Sequence, residues 1–401
     1  MIAASAVVVF LVAMLIGGYA YFGYPALLGL IAFFRRRPYG GGEPADWPLI
    51  TITVPAHNEE RAIGATLDAL LAADYPAERR QILVVSDAST DRTDEIVRSY
   101  APRGVELLRV EERKGKTAAE NAARPLLRGS VVVNTDASVR IHRGGLKPLI
   151  RALLDPQVGV ASGCDVSVGR MDRDLNLGES GYVGYEMWVR ELETSVGSIV
   201  GASGCFYAIR RELHMELVPE ALSRDFAAAL IAREHGLRAV SVTEAVCHVP
   251  RISSIRREYR RKVRTMTRGL ETLWFKRHLM NPFRHGLFAW MLASHKLARW
   301  LVPWAFAAAG LALAALAPQR SWAAWLLAPG LACLLLAAAG WWWPERRPVP
   351  RLVAMPAYFV AGVAAALVAW MKALSGELNP VWEPTRREEP EAGRRQDPYR
   401  P

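Results

Sequence analysis

The chain has 401 residues, enough for one large or two modest domains, with a formal net charge of +11, 51% apolar and 22% charged residues. The two fractions coexist because apolar residues gather in uncharged blocks at 2–34, 301–317, 321–343 and 352–371. Runs near twenty residues match a bilayer core of roughly 30 Å, which excludes a wholly soluble protein.

The first block lacks a basic leader and is longer than the apolar part of a signal peptide. It is also too long for one upright span. Residues 2–20 are expected to cross the membrane, and 24–37, broken by Pro25, to lie in its interface. Arg35, Arg36 and Arg37 close the block and place the following domain in the cytoplasm, at the inner membrane. Basic residues crowd beside the apolar blocks, which favours membrane lipids and a phosphorylated substrate over nucleic acid. Cys164, Cys205, Cys247 and Cys333 show no CxxC spacing, so neither a disulfide framework nor a zinc site is expected.

After the Gly/Pro-rich PYGGGEPADWP, predicted strands at 49–54, 81–86, 105–110 and 130–134 alternate with predicted helices at 63–72, 93–100 and 116–127. That rhythm predicts a parallel, helix-covered sheet whose ligands bind outside the carboxyl ends of the strands. The first strand delivers Pro55, His57, Asn58 and Glu59 there, the second Asp87 and Asp91, the fourth Asn134, Thr135 and Asp136. Asp136 has no neighbouring Lys or Arg and suits a hard cation that shares phosphate oxygens, although Asp also commonly begins the turn after a strand. A carboxylate at the second strand end can accept from a base or ribose, or cap the helix from Thr93; Asp87 is read as the ligand and Asp91 as the cap. ERKGKT sets Lys114 and Lys116 near a helix N-terminus, which favours anions, with Lys114 better read as solvated.

VPAHNEE, VVSDASTDRT, KGKTAAEN and NTDAS, in that order and spacing, resemble the family 2 glycosyltransferases of GT-A fold. The nearest likeness is to the membrane-embedded group with the hyaluronan, chitin and poly-N-acetylglucosamine synthases, over about residues 47–266. The resemblance implies an α/β GT-A domain with a mostly parallel sheet between N- and C-terminal membrane helices. It also implies that Asp87 contacts the nucleotide and that Asp136 holds Mg2+ or Mn2+ on the diphosphate. Ser138 stands at the second acidic position of that motif. Pro55, His57, Asn58, Glu59 and Lys116 complete the expected donor site.

A strand is predicted at 158–168 and a helix at 175–194, whose Tyr182, Tyr185 and Trp188 are expected in the core. In VGASGCFYAIRRE, Gly201, Ser203 and Gly204 let the backbone approach a ligand closely, and the family places this segment against the acceptor. Asp225 opens the next helix; as a cap alone it would contribute roughly 1 kcal/mol. In the family the same place carries a Glu-Asp pair whose aspartate is the general base. Here the pair is Arg224-Asp225, and the Arg would weaken the base unless its side chain points away.

The run RISSIRREYRRKVRTMTR at 251–268 supplies Arg261 and Arg264 for the departing diphosphate, while other arginines snorkel to lipid headgroups. The Q-x-x-R-W motif of processive synthases is missing. His248 is a second candidate metal ligand. Residues 288–300 are expected to lie in the interface, followed by three spans. The domains are then 1–37, 38–280 (GT-A), 281–376 and a disordered tail at 377–401. The function expected is inverting transfer from a nucleotide sugar, UDP first, to a lipid-linked or glycan acceptor in surface polysaccharide synthesis. A processive, export-coupled synthase and a degenerate scaffold or nucleotide-sugar sensor are the alternatives.

Overall fold

The computed structural model describes residues 2–168, 178–250, 254–344 and 349–377. The first three residues of the helix predicted at 175, and residues 378–401 of the tail, lie outside these. The chain opens on α1 (Ile2–Gly18), a π-turn (Tyr19–Gly23) and α2 (Tyr24–Phe34), which run on as one helix over Ala3–Phe34. The expected break at Pro25 does not occur. The wider turn ends just before it, and the Tyr21 carbonyl, four residues before the missing N–H of Pro25, accepts instead from the Tyr185 hydroxyl at 2.7 Å.

The domain follows as β1 (Ile50–Ala56), α3 (Ile63–Leu71), β2 (Arg80–Asp87), α4 (Thr93–Ser99), β3 (Val105–Val110), α5 (Lys116–Ala123) and β4 (Val131–Thr135). It continues with β5 (Arg140–Ile141), α6 (Leu146–Leu153), β6 (Val158–Val168), α7 (Gly178–Val196), β7 (Phe206–Arg210), α8 (Arg211–His214), α9 (Arg224–Glu234) and β8 (Arg238–Pro250). The sheet order is β3-β2-β1-β4-β7-β6-β8-β5. β1 to β4 are mutually parallel, β7 is antiparallel to both neighbours, and β6 and β8 are parallel. The chain steps outward through β1, β2 and β3, then returns to the other side of β1, which opens a crevice at the carboxyl ends of β1 and β4.

Alternation along β2 serves two cores. Ile82 and Val84 join Ile52, Val54, Leu67 and Leu70 on one face; Leu83 and Val85 join Val132, Ala229 and Ile231 on the other.

The chain ends in α10 (Ile255–Phe275), α11 (Pro282–His285), α12 (Leu287–Leu292), α13 (Arg299–Leu316), α14 (Ser321–Trp341) and α15 (Arg351–Ser375). Among the described residues four helices are long and apolar enough to cross a membrane: Ala3–Phe34, Leu287–Leu316, Ser321–Trp341 and Arg351–Ser375. The number matches the sequence reading, but the second contains the stretch expected to lie flat. Its polar residues do not face lipid. His295 and Arg299 are buried against α7, where Arg299 donates to Glu186 Oε2 at 2.7 Å. His295 sets Nε2 2.9 Å from Glu186 Oε1 and Nδ1 2.6 Å from Glu193 Oε1. The Tyr24 hydroxyl donates to the same Glu193 oxygen at 2.6 Å. Phe226 and Leu230 of α9 share an apolar cluster with Tyr24, Leu28, Val189, Phe288 and Leu292, so membrane helices and transferase domain form one body here. Of the three α7 aromatics only Tyr185 packs against that cluster; Tyr182 and Trp188 are 45% and 48% exposed, against the core placement expected of them.

Burial would raise the Glu186 carboxyl, but His295, Lys296 and Arg299 outweigh it and hold it well below the usual carboxylate range. Burial also opposes Glu193, which His295 and Tyr24 hold down. A depressed carboxylate adds stability that is complete above its unfolded value, near 4.3, and is lost as pH falls through the folded value. The melting temperature in detergent should therefore drop as pH falls below about 4.5. Glu186→Gln should cost about 3–5 kcal/mol at neutral pH, because it strands buried His295 and Arg299, and should flatten that acid response.

Candidate active site

Two loops at the carboxyl ends of β1 and β2 lock together. Asn58 and Ala88 both take left-handed backbone, at φ 53° and 52°. Asn tolerates it; for Ala it stores strain of order 1 kcal/mol. Asn58 Oδ1 accepts from Thr90 N at 2.8 Å, Asn58 N donates to Ser89 Oγ at 3.2 Å, and Glu59 N donates to Thr93 Oγ1 at 2.8 Å. His57 Nδ1 donates to the Asp87 carbonyl at 2.6 Å. Pro55, His57, Asn58, Glu59 and Asp87 thus gather at one end of the sheet, as the sequence predicts. Asp91 is a cap: its Oδ1 accepts from Thr93 N at 3.0 Å and its Oδ2 from Glu60 N at 3.1 Å.

Asp87, 2% exposed, accepts Lys114 N on Oδ1 at 2.9 Å and Gly115 N on Oδ2 at 2.8 Å. Its carboxylate therefore shapes the loop that launches α5. Lys114 itself is half-exposed and pairs with Glu112, as a solvated lysine should.

Lys116 crosses the crevice. Its Nζ lies 2.5 Å from Asp136 Oδ1 and donates to the Gly204 carbonyl at 2.8 Å. Asp136 is therefore not the unbalanced carboxylate that its sequence neighbours implied; its counter-charge comes from twenty residues upstream. Burial would lower the Lys116 ammonium, but Asp136, Glu120 and Asp225 outweigh that and push it up.

Gly204 brings the third element in. A Cβ on it would stand 2.8 Å from Asp225 Oδ2. Asp225 occupies the first turn of α9, where the helix end favours a carboxylate, and its Oδ1 accepts from Ser223 Oγ at 2.5 Å. The side chain is half-buried, open to an incoming group. Arg224 points the other way. It is 4% exposed, donates to the His214 carbonyl at 3.1 Å and to Asn121 Oδ1, and lies 3.6 Å from Glu120 Oε2. Of the three small residues only Gly204 stands against Asp225; Gly201 and Ser203 are buried behind it. Ser203 Oγ is fixed by Asp165 at 2.6 Å, and a Cβ on Gly201 would meet the Phe226 ring at 3.2 Å.

On α10, Arg261 pairs with Glu258 one turn before it at 2.8 Å, and Arg264 is half-buried. Further along the same helix, Arg268 donates to Thr117 Oγ1 at 2.7 Å and to the Leu222 carbonyl, joining α5 to the start of α9. Sequence reasoning passed over Arg268 because nothing distinguishes it from the cations before it. Glu120 stands one turn after Lys116 on α5, a spacing the sequence does offer; what it hides is Arg224, which reaches Glu120 from a separate segment.

His248 stands on β8 opposite Arg140, its ring centroid 6.4 Å from that of His142. Among the described residues no three His, Cys, Asp or Glu side chains converge as a metal cage. One carboxylate beside a cationic crevice does fit a divalent ion that arrives on a diphosphate and takes most of its ligands from phosphate and water.

Two substitutions test this geometry. Gly204→Ala should keep the melting temperature within a few degrees yet cut turnover at least about tenfold, since the new methyl displaces Asp225. Asp87→Ala leaves two amides unpaired at about 1–3 kcal/mol each. It should lower the melting temperature and raise the donor KM.

Residues 51–218 match the family model described as Glycosyl transferase family 2. Beta-monoglucosyldiacylglycerol synthase of Nostoc sp. is 24% identical over 199 residues, which are 47% of this chain and 42% of that protein. Probable glycosyltransferase YdaM of Bacillus subtilis is 30% identical over 139 residues, 33% of each chain. The chain spans less than half the length of these curated relatives. Mannosyltransferase PcManGT from Pyrobaculum calidifontis, solved in complex with GDP-Man and Mn2+, has a TM-score of 0.70 and 25% identity, covering 94% of this chain and 100% of that one. Motifs, sheet order and these likenesses converge: the chain carries a family 2 glycosyltransferase domain of GT-A fold.

Proposed function

We propose that the protein transfers a sugar, with inversion, from a nucleoside diphosphate donor to a hydroxyl of a lipid-linked or glycan acceptor held where the domain meets its membrane helices. The observation that carries this reading is the position of Asp225. It faces the 201–204 loop on one side, and Phe226 beside it is buried in the cluster shared with α2, α7 and α12. Asp225 takes the proton of the acceptor hydroxyl as its oxygen attacks the anomeric carbon, and the bond to the diphosphate breaks. Lys116 and the N-terminus of α5 lie on the leaving side, with Arg261 and Arg264 assigned to the same phosphates. Asp136, with His248 as a further candidate, would hold Mg2+ or Mn2+, which neutralises the diphosphate when bound.

Asp87, Pro55, His57, Asn58 and Glu59 are assigned to the nucleotide, Gly201, Ser203 and Gly204 to the acceptor. The sequence favours a UDP-sugar; the GDP-Man in the similar Pyrobaculum structure makes GDP the rival nucleotide. The glycolipid product named for the Nostoc relative supports a lipid acceptor. The domain would lie on the cytoplasmic side of the inner membrane. A degenerate scaffold loses one of its two supports, because the Arg224 guanidinium engages Glu120, Asn121 and His214 instead of the base.

With Mg2+ or Mn2+ and membrane lipid as acceptor, nucleotide release should appear with one donor from a panel of UDP- and GDP-sugars. Asp225→Asn should reduce it by roughly 10²–10⁴. Release unchanged in that variant would identify another base, and silence with every donor despite nucleotide binding would favour the scaffold.

A further inference from the structure

Two buried cations beside the acceptor loop take no part in the chemistry above. Arg190, on α7, is 8% exposed, and its Nε and Nη1 are buried without a hydrogen-bond partner among the described residues. Its ion pair there is with Glu186 Oε1 at 3.7 Å, too long for a hydrogen bond. Lys296, between α12 and α13, holds its ammonium 4.0 Å from the same oxygen and 5.4 Å from the centroid of the Phe226 ring. It also stands 3.5 Å from where a Cβ on Gly201 would be.

Both cations stand within 4.0 Å of one oxygen, Glu186 Oε1, and Lys296 lies against Gly201. The same loop is held through Ser203, whose Oγ donates to Asp165 at 2.6 Å. The local carboxylates are already engaged. Glu186 binds His295 and Arg299, and Glu193 binds His295, Tyr24 and the amide of Val200. Those carboxylates leave Arg190 Nε and Nη1 without an acceptor among the described residues. A buried guanidinium without acceptors is costly, and a neutral hydroxyl could accept from it but would bring no counter-charge. A phosphate would, because its oxygens match the guanidinium fork and accept an ammonium alongside.

We propose that Arg190 and Lys296 form a subsite for a phosphate borne by a lipid acceptor, seating its headgroup at the 201–204 loop with a hydroxyl toward Asp225. Lys296 belongs to Leu287–Leu316, a helix long and apolar enough to cross a membrane, which favours an anion carried on a lipid over a free one. The assignment rests on the acceptor lying at this loop, as proposed above, and extends it by naming the acceptor's charge.

Equilibrium binding to the full chain in detergent tests this without turnover. Dihexanoyl phosphatidylglycerol should bind at least about tenfold tighter than dihexanoylglycerol, the worth of one charge-assisted hydrogen bond. Lys296→Gln and, independently, Arg190→Gln should abolish the preference, and Lys296→Arg should restore it. Equal affinity for the two lipids, or a preference untouched in a folded Lys296→Gln protein, overturns the proposal. Inorganic phosphate binding as tightly as the phospholipid overturns the lipid assignment. Nucleotide release is measured on the same preparations: a phospholipid preference with no release under any donor would remove the transferase reading and leave the subsite standing.

Discussion

The ammonium of Lys116 is the interaction on which the site depends. One charged group spans the strand-end carboxylate Asp136 and the carbonyl of Gly204, and Gly204 in turn lies against Asp225. Three segments remote in sequence are thereby set at fixed distances: the end of β4 with Asp136, the 201–204 loop and the start of α9 with Asp225. The contact is part-buried, where a hydrogen bond between ions is stronger than at the surface. Behind it Arg224 and Glu120 neutralise each other, and Arg268 fixes the start of α5 to the start of α9.

A second constraint ties this site to the membrane helices. α9 presents Asp225 to the crevice and Phe226 and Leu230 to the apolar cluster shared with α2, α7 and α12. Asp225 cannot shift with its helix without disturbing that cluster. Next to it the ion pairs of His295 and Arg299 with Glu186 and Glu193 fix the rotation of a long apolar helix against α7. Burying these charges stabilises only while every partner is present, so the arrangement specifies one docking geometry more than it adds net stability.

Much of this was legible in the chain. The parallel half of the sheet follows from apolar strands with polar residues at their ends, and β3 and β6 fall at the predicted bounds. The four apolar helices follow from length and charge. What was hidden depends on contacts between distant segments. β8 was not anticipated, because AVSVTEAVCHV reads as a strand only once β6 and β5 supply partners. The Lys116–Asp136 pair and the inward turn of Arg224 depend on side-chain directions that no spacing encodes. His295 and Arg299 read as interfacial because their partners, Glu186 and Glu193, lie about a hundred residues upstream. Pro25 read as a break because a π-turn placed just ahead of it is invisible in composition.

The central claim is that Asp225 serves as base for a single direct displacement at the anomeric carbon. The most direct measurement is the anomeric configuration of the first product formed from an α-linked nucleotide sugar, read from proton coupling in the NMR spectrum. The account predicts a β-linked product. An α-linked product would mean retention, and a single displacement assisted by Asp225 would then be wrong.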